Sequence, residues 1–424
     1  MTAALLLLLA QAASGRVLTL GEAERTAMER QPQLRIARAG TQAAEGRVDQ
    51  ARSGLLPQLS ATARYQRSTA NLIPNPGVTG RSAGTSFDNF NFFNNNVTLS
   101  QLLFDFGQTS GRWRASQASA QATADQERLT GQQVLLLVRS AFFAARADKA
   151  LLAVARENLT NQRRHLEQIQ GFVQAGTRPS IDLSQARADA ANAEVQAINA
   201  DNAYVTSKVT LNQVMGVEGP IDYDVADEAL PPLPEEDQEL DALLRPALEA
   251  RPDLASAEQQ IRAQQLTLRS LQGAYGPSLS VGAGFTQGGT ALDDLGWNLS
   301  AGVTLSWQLF QGGLTTGQVH EAEANLASAV AQRDSLRQQV RLELDQARFA
   351  VRAAKASLGA SRDALTAARE RLQQAEARYV NGAGSVIELG DAQIAEATAG
   401  AQAVQADLGL ATARAQLLKA LGRP

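Results

Sequence analysis

Residues 344–379 read LDQARFA-VRAAKAS-LGASRDA-LTAARER-LQQAEAR-Y, and this stretch decides the fold. Each group of seven begins with a large apolar residue, and in four of the five complete groups an alanine follows three positions later. Large and small apolar residues at heptad spacing predict a coiled-coil seam that lets helices approach closely. No proline interrupts Gly313–Gly382. We therefore predict a single helix there, roughly 100 Å long at 1.5 Å per residue.

The same pattern occurs 206 residues earlier. There, apolar residues again recur at every seventh position: Val138, Ala145, Leu152, Leu159, Leu166 and Val173. Before the long helices, Gln31-Pro32-Gln33-Leu34 matches Arg251-Pro252-Asp253-Leu254 at an offset of 220. The 14-residue difference between the two offsets lies in a predicted hairpin, whose loop is shorter in the second half. The chain is therefore predicted to be an internal duplication built on one long helix.

This duplication predicts four consecutive parts: a signal peptide over 1–14, repeat 1 over 15–216, a connecting segment over 217–242 and repeat 2 over 243–424. Each repeat is predicted to contain a helix, a strand pair, a long helix and a return helix. In repeat 1 the last three elements cover 58–104, 107–176 and 180–216. In repeat 2 they cover 278–310, 313–382 and 385–422.

The N-terminal residues read MTAALLLLLAQAASG, an apolar core followed by small residues suited to cleavage. No Lys or Arg precedes the core, so the true start of translation stays open, and a buried N-terminal helix is the alternative. No later run approaches the about 20 apolar residues that a membrane-spanning helix needs.

Composition excludes several function classes. The net charge is −4 and the charges are dispersed, so no basic patch indicates a nucleic-acid partner. The absence of cysteine excludes disulfides, thiolate metal sites and lipid attachment through cysteine. The two histidines, His165 and His320, lie among polar residues in helical heptads and are predicted to be solvated. No catalytic constellation, phosphate-binding loop or metal spacing indicates an enzyme or a cofactor.

The clearest strand pattern is Trp297–Phe310, in which apolar residues alternate with small and polar ones. A half-buried sheet of a soluble protein would give the same alternation, whereas a length of about 10 residues also suits a tilted membrane strand. Trp297, Trp307 and Tyr65 lie where an aromatic girdle at the membrane interface would be. Four strands cannot close a barrel, and an open edge in lipid would cost several kcal/mol for each unpaired backbone group. If the strands span a membrane, several chains must share one barrel.

The turns between paired helices carry capping signals. Gly176-Thr177-Arg178-Pro179-Ser180 is predicted to reverse the chain, with Ser180 as the N-cap of the return helix and Gly216 as its C-cap. In the second half, Ser385 and Glu388 have capping-box spacing, with the Glu388 carboxylate returning to the N-cap amide. The charge run Glu235-Glu236-Asp237 in the connecting segment is predicted to be solvated.

The succession of helix, strand pair, long helix, tight turn and return helix, present twice, resembles the TolC family of outer-membrane efflux ducts. The resemblance covers nearly the whole mature chain, and its most specific residues lie at the hairpin entries (Pro57 and Pro277), the strand exits (103–107 and 309–313) and the two tip turns. It implies a mixed, mainly α fold and a homotrimer. Each chain would give four strands to a twelve-stranded outer-membrane β-barrel in contact with lipid. The helices would continue this barrel as a periplasmic α-barrel that meets a periplasmic adaptor protein and an inner-membrane pump.

The resemblance also implies site residues. Glu388 and Asp391 match two acidic residues that line the closed periplasmic gate, Tyr379 matches a latch tyrosine, and Asp182 matches Glu388 in the first half. Gly384 stands where related gates often have an arginine, so that part of the latch is expected to be absent or weaker. The adaptor would dock at the two tips, whose residues are Gly176, Thr177, Arg178, Pro179, Ser180, Gly382, Ala383, Gly384 and Ser385. As helical hairpin turns, the tips would need these residues in any case.

Two functions therefore remain open from the sequence. The first is a passive export duct, for small molecules or polypeptides, in a tripartite efflux or type I secretion system. The alternative is a soluble periplasmic coiled-coil scaffold whose strands pack on themselves. The exported substrate and the particular adaptor are not encoded in any motif of the chain.

Overall fold

The computed structural model describes residues 16–69 and 89–424. The predicted signal peptide at 1–14 and most of the first hairpin loop lie outside these residues. Within them, none of the helices combines the length and hydropathy that membrane crossing requires.

Helices dominate the chain, and apart from β1 each repeat has the same succession of elements. The first repeat contains β1 (Arg16–Leu18), α1 (Leu20–Arg30), α2 (Pro32–Ser53), β2 (Gln58–Thr69), β3 (Asn89–Phe104), α3 (Gln108–Gln174) and α4 (Ser180–Met215). A short strand, β4 (Tyr223–Val225), lies between the repeats. The second repeat contains α5 (Leu240–Ala250), α6 (Pro252–Gly273), β5 (Ser278–Ala291), β6 (Asp294–Ser306), α7 (Leu314–Val380) and α8 (Val386–Ala420).

The duplication is visible in the helix lengths. The long helices α3 and α7 each have 67 residues, and α2 and α6 each have 22. The strands of the two repeats are less alike. The strand β3 ends at Phe104, whereas β6 ends at Ser306, four residues before Phe310, which corresponds to Phe104 and is the end that the strand pattern predicts. Trp307 lies just beyond the strand, and its indole N–H donates to the Tyr275 carbonyl over 3.0 Å. This bond holds the chain at the end of α6 as it leaves the sheet.

Two compact units divide the chain, and each takes residues from both repeats. The first unit comprises the described residues up to Ala39, with Asp125–Ala255 and Asp334–Pro424. The second unit comprises Gly40–Ala124 and Ser256–Arg333.

In the first unit, the predicted heptad seams form the helical core. Leu344 and Val351 on α7 and Val138 on α3 are fully buried. Further along the long helices, Leu365, Leu372 and the later members of the α3 seam are half-buried, whereas Tyr379 at the end of the α7 seam is buried. Both return helices end in left-handed glycines that leave no room for a Cβ, since it would lie 2.8 Å from the Arg30 carbonyl at Gly216 and 2.9 Å from Ala250 at Gly422.

The connecting segment also belongs to the first unit and is packed rather than solvated. Its strand β4 pairs in parallel with β1, with Val17 opposite Asp224. The side chain of Glu236 is completely buried, and its carboxylate accepts from Arg414 over 2.6 Å and lies 2.5 Å from Lys355 Nζ. The prediction of a solvated charge run is therefore wrong at Glu236, because cations on α7 and α8 replace the water around its carboxylate. It is also wrong at Glu235, which is buried and pairs with Arg423 over 2.7 Å.

In the second unit, the four long strands form one antiparallel sheet in the order β2-β3-β5-β6. The two hairpins join through β3 and β5, where Val97 lies opposite Phe285. Bulges interrupt the register near Leu102 in β3 and near Gly288 in β5. The edge strands β2 and β6 have no partner on their outer sides among the described residues.

Candidate functional site

The predicted tip turns close the two helical hairpins of the first unit in the same way. Gly176 and Gly382 both adopt a left-handed conformation with φ of 73°. After α3, the N–H of Thr177 donates to the Phe172 carbonyl and that of Gly176 to the Val173 carbonyl, each over 3.0 Å. The second tip repeats both bonds, from Ala383 to Arg378 and from Gly382 to Tyr379. These are the bonds of a Schellman motif, which satisfies the last carbonyls of a helix.

The two return helices begin differently. At α8, the Oγ of Ser385 accepts from the Glu388 N–H over 3.1 Å, as the capping signal predicts. At α4, Pro179 occupies the N-cap position and no side chain caps the helix. The prediction of Ser180 as N-cap is wrong by one residue, because Ser180 is already the first residue of the helix. The first tip therefore lacks a stabilising bond that the second one has.

Glu388 does not complete the predicted capping box. Its carboxylate instead accepts from Arg378 Nη1 over 2.7 Å, in an ion pair with partly exposed side chains. Arg378 lies at the end of α7, so this pair connects the two arms of the second hairpin. Of the two carboxylates that were predicted to line a gate, Glu388 and Asp391, the first is thus paired with a cation of its own chain.

Gly384, at the position where the family resemblance led us to look for an arginine, has little space for a side chain. A Cβ at this position would lie 3.0 Å from the Tyr379 amide nitrogen and 3.2 Å from Arg378, so a side chain would require a shift of the backbone. The guanidinium group at this tip comes from Arg378 instead.

Tyr379 is buried at the end of α7, where it contacts Arg178 of the predicted tip and also His165, which the sequence did not indicate. Its ring lies edge-on to the ring of His165, with centroids 5.3 Å apart, and the Arg178 guanidinium carbon is 4.9 Å from the ring centroid. Burial raises the pKa of Tyr379; the nearby Arg178 lowers it and Asp182 raises it. The structure therefore brings Tyr379, Asp182 and Arg178 of the predicted site together.

His165 is buried, and the prediction that it is solvated is wrong. Only 6% of the residue is exposed, and its Nδ1 has no hydrogen-bond partner among the described residues. Burial lowers the pKa of His165, against an opposing effect of Asp189. His320 is exposed, as predicted from its polar neighbours in the sequence. The sequence offered one signal for the contacts of His165 and Arg378, which is that each residue directly precedes a seam residue of its helix.

A polar cavity of about 320 Å³ lies beside His165, between α3, α4 and α8. Asp391 lines it together with Gln185 and Asp189, whereas Glu388 does not. At its buried side, Gln162 Nε2 donates to Gln393 Oε1 over 3.0 Å. The two acids predicted at the gate thus have different surroundings, one in an ion pair and one at a polar cavity. No group of three or more metal-ligating side chains occurs in the part of the chain that the structure describes.

In the second unit, the three predicted girdle aromatics are exposed and each makes a specific contact. Tyr65 packs against Phe93 with ring centroids 5.1 Å apart and donates to Asn91 Oδ1 over 3.0 Å. Trp297 stacks on Phe285 with centroids 6.4 Å apart. Large apolar side chains on β6 are also exposed, including Leu299, Val303 and Leu305 at about two thirds of their full accessible area.

The family model of outer membrane efflux proteins matches residues 25–217 and 243–423, which correspond to the two repeats. The chain belongs to the outer membrane efflux protein family. The predicted family resemblance is thereby confirmed. As a member of this family, the chain is an outer-membrane efflux protein and not an enzyme.

Relatives of this outer membrane efflux protein agree with that assignment. It is 25% identical to the outer membrane efflux protein BepC of Brucella suis over 327 residues, which are 76% of this chain and 67% of BepC. It is 28% identical to the outer membrane protein TolC of Escherichia coli over 327 residues, which are 73% of this chain and 63% of TolC. The matched segments thus span about two thirds of these relatives.

A solved structure agrees over more of the length. The outer membrane protein VceC of Vibrio cholerae superposes with a TM-score of 0.81 at 18% identity, covering 95% of this chain and 96% of VceC. This likeness confirms the predicted fold class.

Proposed function

We propose that this outer membrane efflux protein is one subunit of a homotrimeric channel-tunnel that exports small molecules or polypeptides. It would form the outer-membrane part of a tripartite efflux or type I secretion system. An inner-membrane pump would supply the energy, and a periplasmic adaptor would join pump and channel.

The open antiparallel sheet carries this proposal. Its edge strands, β2 and β6, lack outer partners within the described chain, and its large apolar side chains are exposed. In lipid, each unpaired backbone group would cost several kcal/mol, so strands at a membrane must close into a barrel. Three copies of the sheet would supply twelve strands and pair every edge, with Trp297, Trp307 and Tyr65 at the lipid interface.

The length of the two long helices is consistent with the proposed tunnel on the periplasmic side of this barrel. Each has 67 residues, which corresponds to roughly 100 Å at 1.5 Å per residue and greatly exceeds the helices of ordinary globular domains. The tips of the two hairpins, 176–180 and 382–385, would then dock the adaptor.

The cluster at the tips supports a gate with divided roles. Tyr379 packs on His165 across two long helices, with Arg178 and Asp182 beside it, and would latch the second hairpin to the first. Glu388 would stabilise its own hairpin through Arg378. Asp391, which makes no ion pair among the described residues, would present the acidic charge to the lumen.

The scaffold alternative makes a different prediction about the same sheet. If the strands packed on themselves, the protein would be soluble without detergent and would not conduct ions. The exposed apolar residues of β6 disfavour this alternative, because extended apolar surface on a soluble protein normally has a partner.

Membrane fractionation followed by planar-bilayer recording tests the proposal. The protein should be found in the outer-membrane fraction, require detergent for extraction and produce discrete ion-conducting channels. Recovery from the soluble periplasm, together with bilayers that stay silent, would favour the scaffold.

A further inference from the structure

A cationic groove lies in the second unit, where α3 and α6 pack closely in antiparallel directions. A Cβ on Gly111 would lie 2.8 Å from the Cβ of Ser270, and the Ser270 hydroxyl donates to the Gln108 carbonyl over 2.6 Å. Further along, the Ser256 hydroxyl donates to the Ala122 carbonyl over 2.9 Å. These contacts hold α3 and α6 close together and in a fixed register.

Beside this contact between α3 and α6, the two helices line a groove of about 720 Å³. Its lining contains three arginines, Arg114 from α3 and Arg262 and Arg269 from α6, together with four glutamines and only two apolar residues. No carboxylate lines the groove. Its volume lies within the range of about 300–1,000 Å³ that is typical of small-molecule sites.

The positive charge of the groove is not balanced. None of its three arginines forms an ion pair with any residue of the described chain, although the chain as a whole has a net charge of −4. Three guanidinium groups on one face repel each other, so the free protein gains no stability from bringing them together.

The duplication shows that this charge is specific to one half. At the offsets of 206 for α3 and 220 for α6, Arg114 corresponds to His320, Arg262 to Gln42 and Arg269 to Asp49. Two groove glutamines, at positions 117 and 265, correspond to Glu323 and Glu45. The counterpart positions thus carry three carboxylates and no arginine, so the helix packing of the repeat does not itself require a cationic face.

We propose that the groove of Arg114, Arg262 and Arg269 binds a phosphate-bearing anion. The planar guanidinium fork matches two oxygens of a phosphate at once, and glutamine amides can donate further hydrogen bonds. The phosphate belongs either to a soluble anion or to a lipid headgroup, since both present the same oxygens. This inference goes beyond the proposed export function, because it concerns binding by the protein whether or not the channel conducts.

Isothermal titration calorimetry on the full-length protein in mild detergent tests the inference with two probes. The soluble probe is inorganic pyrophosphate; the lipid probe is short-chain phosphatidylglycerol, compared with phosphatidylcholine of the same chain length. The test variant carries Arg114→Gln, Arg262→Gln and Arg269→Gln. The matched control carries Arg47→Gln, Arg52→Gln and Arg112→Gln, which removes the same charge from exposed positions of the same unit outside the groove.

We expect at least one probe to bind, with a loss of about tenfold or more in affinity in the test variant and less than about twofold in the control. A triple Arg→Lys variant should be intermediate, because it keeps the charge but loses the fork. Binding of pyrophosphate identifies a soluble anion, and binding of phosphatidylglycerol alone identifies a headgroup. Absence of binding to both probes, or equal losses in test and control variants, would overturn the proposal. Circular dichroism verifies that each variant is folded.

Discussion

The ring of His165 on α3 lies edge-on against the ring of Tyr379 on α7, with centroids 5.3 Å apart. His165 Nδ1 and the Tyr379 hydroxyl are both buried and have no hydrogen-bond partner among the described residues. Such groups add no polar stabilisation to offset the cost of burying them. The contact therefore joins the two hairpins through packing, and burial favours the neutral imidazole.

Acidification should loosen this contact. Burial lowers the pKa of His165 in the folded chain, with Asp189 opposing. The folded state therefore resists protonation more than the opened state does. The contribution of His165 to stability is complete above its ordinary pKa of about 6.5 and is lost as pH falls through its lowered value. Hydrogen exchange at the tips, corrected for intrinsic rates, should accelerate as pH falls from about 7.5 to 5.

A His165→Phe substitution keeps a ring at this position and removes its titration, so it should abolish the acid-induced part of the acceleration. His320→Phe, the same substitution at the exposed histidine, should leave the pH dependence intact. Equal pH dependence in wild type and His165→Phe would contradict the assignment of the effect to His165.

Glu236 should be important for the stability of the first unit. Burial alone would raise the pKa of Glu236, but hydrogen bonds from Arg414 and Lys355 hold it below its ordinary value. Glu236→Gln removes the charge that these two cations share. We expect a loss of about 3–5 kcal/mol, the usual effect of breaking a buried ion pair, in local opening measured by hydrogen exchange.

Its neighbour Asp237 provides the control, since its side chain is mostly exposed although it also lies near Lys355. Asp237→Asn should cost less than about 1 kcal/mol. Similar losses for both substitutions would show that burial of Glu236 is not the source of its effect.

A side chain on the left-handed glycine at the second tip should destabilise the turn. Gly382 has φ of 73°, so Gly382→Ala should destabilise the turn by roughly 1–2 kcal/mol. Gly390→Ala is the matched control, because Gly390 lies within α8 with open space around it, and alanine there should stabilise the helix by about 1 kcal/mol. Exchange rates of the amides around each site would report both changes. Opposite signs are expected, and destabilisation by both would contradict the turn geometry.

The two acids of the predicted gate should contribute unequally to ion selectivity. Asp391→Ala should reduce the cation preference of single channels in planar bilayers, because this carboxylate is exposed and makes no ion pair within the described chain. Glu388→Ala should have a smaller effect, since Arg378 already balances that charge. Asp363→Ala, at an exposed position of α7, serves as the control. A larger effect of Glu388→Ala than of Asp391→Ala would show that the Arg378 pair does not persist in the open channel.

The sequence was most informative where a period or a backbone requirement was involved. Heptad spacing predicted the helices that became α3 and α7, and glycine with its left-handed freedom marked both tips. The strand alternation predicts an end at Phe310, four residues beyond the end of β6, because Trp307 and Leu309 continue the alternation although the chain has left the sheet after Ser306.

What the sequence could not show depends on contacts between distant residues. The local sequence predicts a solvated charge run at Glu236, whereas Lys355 and Arg414, more than 100 positions away, surround its carboxylate. The burial of His165 likewise depends on Tyr379. The capping box predicted at Glu388 does not form, because the Glu388 carboxylate pairs with Arg378. In each case a polar residue has a partner in space that no local pattern reveals.

The native mass of the protein, extracted from outer membranes in mild detergent, tests the central claim most directly. A stable assembly of three chains is expected, because three copies of the four-stranded sheet would pair all the free strand edges. A monomer or dimer that stays soluble without detergent would contradict the claim, since its strands could not close the proposed twelve-stranded barrel.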